Sequence, residues 1–233
     1  MKKNIQRADE RGKTDQGWLK ANFSFSFSRY YNPDRVSFGK LVVLNDDTIA
    51  PGKGFGAHPH ENMEVISIPT YGELTHKDNT GSEEVIFSNQ IQVMSAGSGI
   101  THSEYNHSKS QEAKLFQIWI EPSKLNVEPR HETKTLNLEK NKIVKIVSGN
   151  KDKNTLFIYQ DASVHLGEFD KNETVSFKTK ENRGTFIMVT EGSAKIEGEL
   201  LNKRDSIEIK ETNEIKIETT KDTKILVIDT IMN

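Results

Sequence analysis

The chain has 233 residues, enough for one large domain or two small ones with a real core. Lys and Arg number 32 against 34 Asp and Glu, a formal charge of −2 with the lysines spread out, so no direct nucleic-acid contact is expected. Cysteine is absent, which excludes disulfides, thiolate metal sites and cysteine nucleophiles and leaves His, Asp, Glu and water as metal ligands.

In chain order, the first residues carry charge with no apolar stretch after it, so no signal peptide is expected. No apolar run approaches the ~18 residues of a membrane span, and the expected location is the cytoplasm. Residues 1–21 are polar, with Gly12 and Gly17 as breakers, and read as an arm that is mostly loop. Residues 23–28 alternate Phe and Ser, the pattern of a half-buried strand with three rings on one face. Core packing explains those rings, and one of them could line a ligand cavity.

Short apolar strands follow at 41–44, 64–69, 73–77, 85–87, 91–94 and 115–120, with a hairpin turn at 78–81. Residues 130–142 read as a polar connector that could hide a short helix. From 143 the rhythm resumes, with strands at 156–159, 164–169, 175–177, 185–189, 194–196, 207–209, 215–217 and 225–228. Many short strands with little helical period predict an all-β protein. The Lys/Glu-rich tail is read as strand because its β-branched residues alternate.

Two clusters carry chemistry. His58 and His60 are two residues apart, as are His102 and Glu104, and i, i+2 side chains of a strand share a face. Pro59 biases His58 away from the helical region. Adjacent strands would bring three imidazoles and one carboxylate together, good ligands for Fe, Mn, Co, Ni, Cu or Zn. Gly52 lies six residues before His58 and Glu64 four after His60; Gly99 lies three before His102 and Asn106 four after it. These spacings match the two halves of the cupin signature, except that Gly97 stands where proline is usual. The signature leaves Glu64 and Glu104 competing for the fourth ligand position; the pairing of Glu104 with His102 favours Glu104. His76, His107 and His131 are read as surface or hydrogen-bonding histidines. Gln117, polar in an apolar strand, is read as a hydrogen-bond partner for a metal-bound water. From 143 onward only His165 remains, too little for a comparable site.

Residues 54–60 and 94–104, with Gly17–Trp18–Leu19, Phe25–Ser26–Phe27 and residues 115–120, resemble the pirin family, and most closely the bacterial pirin-like quercetin 2,3-dioxygenases. The resemblance covers about residues 7–130 closely and the rest more loosely. It implies a bicupin, two stacked double-stranded β-helix (jelly-roll) barrels. The expected organisation is a metal-binding barrel over 1–130, a connector over 131–142 and a degenerate, metal-free barrel over 143–233. The implied ligands are His58, His60, His102 and Glu104, with Glu64 standing behind them. Fe(II) is the first choice of metal.

The implied reaction is a dioxygenase cleavage of a small chelating aromatic, a flavonol such as quercetin, by O2 with loss of CO. Glu104 would be the catalytic base. The alternative is a non-enzymatic, metal-dependent regulator that binds a protein partner, a transcription factor or a metabolic enzyme. A third reading, a cupin isomerase or other metal-assisted enzyme, remains because cupins host many chemistries.

Overall fold

The computed structural model describes residues 1–232, which form twenty-two strands and one short 3-10 turn at Ala8–Glu10, with no α-helix among the described residues. None of its helices is therefore long and apolar enough to cross a membrane. The strands make two sandwiches of the same plan, each a seven-stranded sheet closed by a four-stranded one. Every pairing is antiparallel except Ile143–Ser148 with Leu156–Phe157, so each sandwich is a jelly-roll barrel and the chain is a bicupin.

In the first barrel the large sheet runs Arg130–Thr135, Gln90–Ser95, Glu64–Tyr71, Ala113–Ile120, Leu41–Ile49, Leu19–Phe23, Gly12–Asp15. The small sheet runs Gly54–His60, Ile100–Asn106, Glu73–Asp78, Glu83–Phe87. In the second barrel the large sheet runs Lys2–Gln6, Ser206–Lys210, Arg183–Glu191, Thr223–Ile231, Ala162–Phe169, Ile143–Ser148, Leu156–Phe157. Its small sheet is Thr174–Lys178, Glu214–Thr219, Ser193–Ile196, Glu199–Asn202.

The two large sheets turn an apolar face to each other and their other face into their own barrels, a division set by the period of two. Phe116, Ile118 and Ile120 meet Phe186, Met188, Leu226 and Ile228 in one cluster that joins the barrels. The residues between them, Leu115 in the first barrel and Ile187, Val189, Ile225 and Val227 in the second, fill barrel interiors. Each fully buried aliphatic or aromatic side chain contributes about 1.5–3 kcal/mol, so the joint between the barrels is a stabilising core in its own right.

Three segments depart from their sequence reading. The N-terminal arm is not loop: Lys2–Gln6, Gly12–Asp15 and Leu19–Phe23 are strands, and the first of them pairs with Ser206–Lys210 of the second barrel. Its sequence is mostly polar because only Ile5 packs on the second core. Cross-strand backbone bonds and ion pairs such as Lys3–Glu199 at 2.8 Å hold the rest. Within the polar connector, Arg130–Thr135 is a strand beside Gln90–Ser95, not a helix. Finally, the Phe/Ser alternation does not continue as one strand. Leu19–Phe23 ends at Phe23, Phe25 turns to the joint between barrels against Phe186, and Phe27 returns to the first barrel against Trp119. Ser24 is fully buried rather than solvent-facing.

Candidate metal centre

The site is built on the two neighbouring strands Gly54–His60 and Ile100–Asn106. Gly52, which opens the first motif, turns at φ +64°, and Gly99, which opens the second, at φ +131°, conformations that side chains other than glycine's rarely adopt. Gly97, in the place usual for proline, has φ +51°, which a proline ring fixed near −65° cannot reach. On Ile100–Asn106 every second residue is buried: Ile100, His102, Glu104 and Asn106 point inward. Asn106 is structural, donating from Nδ2 to the carbonyls of Ile49 at 3.0 Å and Gln111 at 2.7 Å.

His58 stands directly opposite His102, and an irregularity between His102 and Glu104 then brings Glu104 opposite Phe55. Such a bulge re-aims the side chains on either side of it. The three rings form a triangle, with centroids 4.8 Å apart for His58–His60, 4.5 Å for His58–His102 and 4.8 Å for His60–His102. One ring nitrogen from each lies within 4.8 Å of the others, and one oxygen of Glu104 lies within the same distance of nitrogens of His102 and His76. This cluster could hold a metal ion.

The hydrogen bonds show which nitrogens are free. His58 donates from Nδ1 to the Gly56 carbonyl at 2.8 Å, leaving its Nε2 lone pair. His76 donates from Nε2 to Asp78 Oδ2 at 3.0 Å, so its Nδ1 is the acceptor for His102 Nδ1, 3.3 Å away. His102 therefore keeps its proton on Nδ1 and its lone pair on Nε2, a buried atom with no hydrogen-bond partner. An orphaned buried acceptor costs about 1–3 kcal/mol, and a cation in the His triangle would satisfy it.

Electrostatics agree with that. Burial first, then the neighbouring imidazoles His102 and His58, holds His60 down at about 4. Burial, His58 and His76 hold His102 at about 3. Both rings are thus neutral near pH 7, the form that binds metal. Burial alone would raise Asp78, but hydrogen bonds from Thr80, His76 and Ser82 outweigh it and hold the carboxyl at about 2.

Glu104 accepts from Ser67 Oγ at 3.1 Å and from Gln117 Nε2 at 2.6 Å, and Gln117 Oε1 accepts from Trp119 Nε1 at 3.3 Å. Gln117 thus grips the carboxylate itself, where the sequence reading gave it a metal-bound water. Glu64 is not behind the histidines. It accepts from Ser95 Oγ at 2.7 Å and from the Tyr159 backbone, and burial raises its pKa. It shares the face of Ile66 and Ile68, which turn to the joint between the barrels, because its strand alternates.

His76 and His131 are hydrogen-bonding histidines, as the sequence implied; what it missed is that they cluster with Asp78 beside His102. His76 is fully buried, and His131 stacks on it at 4.5 Å with the rings 2° from parallel. The signal was present in His76–Lys77–Asp78, which has the same i, i+2 spacing as His58–Pro59–His60. His107 is an outlier in a loop, bonded to Thr75 Oγ1 at 2.9 Å. His165, alone in the second barrel, is satisfied by Ser163 Oγ at 2.9 Å.

A cavity of about 880 Å³ opens in front of the cluster, lined by His58, His60, Glu104, Gln117 and Trp119 and walled by Phe23, Phe27, Tyr30 and Phe55. Two of the three rings of the Phe/Ser stretch therefore do line a cavity. Trp119 lies edge-on to His60 at 4.9 Å and to Phe27 at 5.4 Å.

Fold and site together define a bicupin whose first barrel carries a histidine and carboxylate cluster at the end of an aromatic cavity. The chain belongs to the pirin family: the match to pirin covers residues 4–120, and a match to the quercetinase C-terminal cupin domain covers residues 145–230. It is 34% identical over 225 residues to the quercetin 2,3-dioxygenase of Escherichia coli K12, covering 97% of each chain. It is 38% identical over 224 residues to a pirin-like protein of Caulobacter vibrioides, covering 95% of this chain and 96% of that one. The crystal structure of bacterial pirin YhhW from Escherichia coli in complex with nickel(II) superposes with a TM-score of 0.95 at 32% identity over the whole of both chains.

Proposed function

We propose that the protein is a metal-dependent dioxygenase of the pirin-like quercetinase type, acting on a flavonol with O2 and releasing CO. The observation that carries the reading is the orphaned Nε2 of His102, set among two further imidazoles and the Glu104 carboxylate at the end of an aromatic-walled cavity. In this reading His58, His60, His102 and Glu104 hold one divalent metal in the first barrel, over residues 1–130, and the second barrel, over 143–233, holds none. Fe(II) is the first choice for O2 chemistry. Mn, Co, Ni, Cu and Zn suit the same donors, and nickel(II) is the ion in the Escherichia coli relative.

A bound metal supplies Lewis acidity that favours ionisation of a chelating enol and a redox partner for O2. The chain's own residues do the rest. Glu104 takes the proton of the flavonol hydroxyl on a carboxylate oxygen, as a general base. Ser67 and Gln117 keep that carboxylate aimed while its charge changes. Asp78 and His76 fix the tautomer of His102. Phe23, Phe27 and Trp119 present ring faces and edges to a planar aromatic substrate and exclude water from it.

The test is oxygen uptake by metal-loaded protein with quercetin, with CO measured in the headspace and an anaerobic control. Stoichiometric O2 loss and CO gain, abolished in Glu104→Gln, is the expected result. Absence of O2 consumption across the loaded metals sinks the reading.

A further inference from the structure

Two buried polar side chains on the wall of this cavity have no work in the scheme above. On Leu41–Ile49, Ile49 packs with Leu19, Phe23 and Leu115 inside the barrel, so Asn45 and Asp47, in step with it, face inward too. Asn45 stands between Gln117 and Phe23, and Asp47 between Leu115 and Ala21. They are 3% and 2% exposed, and both line the cavity. Asn45 Oδ1 and Asp47 Oδ1 have no hydrogen-bond partner among the described residues. Buried acceptors in native proteins are nearly always paired, so two adjacent exceptions on a cavity wall point to a ligand that pairs them.

The second barrel shows that the frame does not require such residues. The corresponding strand there is Ala162–Phe169, and the corresponding positions are His165, satisfied by Ser163, and Gly167. Among the described residues no ion pair claims Asp47: Arg11 and Arg204 bind its neighbour Asp46 instead, on the other face of the strand. Burial, then Asp46 and Glu104, raise the Asp47 carboxyl to about 8. The two unpaired atoms are acceptor oxygens, and a hydroxyl donor complements both.

We propose that Asn45 and Asp47 form a hydroxyl-recognition subsite that receives phenolic hydroxyls of a polyhydroxylated aromatic substrate, away from its metal-chelating edge. The proposal rests on the flavonol reading of the site and deepens it from a chelating aromatic to a chelating aromatic with further hydroxyls. An analogue without those hydroxyls leaves the buried acceptors unpaired, which is the arrangement that gives strong discrimination.

The experiment is isothermal titration of metal-loaded protein under anaerobic conditions with two ligands. Quercetin carries the extra hydroxyls; 3-hydroxyflavone keeps only the chelating edge. Wild type is expected to bind quercetin at least about 10-fold tighter. Asn45→Leu with Asp47→Leu brings the ratio to within about 3-fold, and Asp47→Asn, which keeps hydrogen-bonding capacity, preserves most of it. Should the double variant not fold, the single Asn45→Leu and Asp47→Ala variants carry the comparison. An unchanged ratio in a folded leucine or alanine variant, no preference in wild type, or no binding of quercetin overturns the subsite. Oxygen uptake is measured in parallel. Uptake without hydroxyl discrimination overturns the subsite and leaves the dioxygenase reading; discrimination without uptake does the reverse.

Discussion

The two barrels fill corresponding positions of one frame in opposite ways. Across the large sheet of the first runs the row Gln92, Ser67, Gln117, Asn45, Phe23. Across that of the second runs Ile207, Ile187, Val227, His165, Lys145. The second interior is one cluster of thirteen buried hydrophobic residues; the first is split into clusters of seven and four, with polar groups in the remaining space. The jelly roll tolerates both because its backbone satisfies itself strand to strand, so the interior chemistry is free to change. One barrel spends its interior on packing and the other on a cavity with aimed polar groups.

That division can be broken most sharply at the metal. In His58→Ala or His102→Ala, metal content after loading is expected to fall from about one ion per chain to below about 0.1 by elemental analysis, with His165→Gln unaffected. Metal loss in the His165 variant would end the assignment of the site to the first barrel. Next come exchanges at matched positions. Val227→Asn, an amide placed in a packed hydrocarbon interior, should cost about 3–5 kcal/mol in urea unfolding. Gln117→Val, its counterpart, loses its hydrogen bonds with Glu104 and Trp119 on a cavity wall and should cost less, about 1.5–3 kcal/mol. Equal losses would mean that the interiors do not differ in kind.

A smaller effect tests the hydrogen-bond chain behind His102. His76→Leu removes the acceptor for His102 Nδ1 and should weaken metal binding by about 10–100-fold in a chelator competition, whereas His107→Leu should leave it unchanged. The smallest effect concerns pH. Asp47 has its carboxyl raised from an ordinary 3.8 to about 8, so the folded state holds a proton that the unfolded state has lost. Its contribution to stability is complete below the ordinary value and is lost as pH rises toward the folded one. In metal-stripped protein, Asp47→Asn should therefore stabilise more near pH 8 than near pH 5, by about 1 kcal/mol in urea unfolding given the solvent in the cavity. A gain independent of pH would show that the carboxyl is ionised in the fold.

The strongly periodic elements were legible from residues alone. Ala113–Ile120 and Thr223–Ile231 carry near-continuous apolar runs, so their existence as buried strands was legible at 115–120 and 225–228. The i, i+2 pairs His58–His60 and His102–Glu104 were legible for the same reason. What escaped had weak local signal. Lys2–Gln6 is a strand only because an edge of the second barrel accepts it, and Arg130–Thr135 only because Gln90–Ser95 does. Glu64 looked like a neighbour of the histidines by spacing, yet the period of two turns it to the opposite face.

Local pattern therefore settles which residues share a face, and so it settles the strands and the two i, i+2 pairs. The partner across the sheet is a long-range matter. That His102 meets His58, that His76 and Asp78 line up behind it, that Gln117 holds Glu104, and that Asn45 and Asp47 are left unpaired beside them all depend on register between strands far apart in the chain. Backbone hydrogen bonds between strands set that register, and no single segment of sequence carries it.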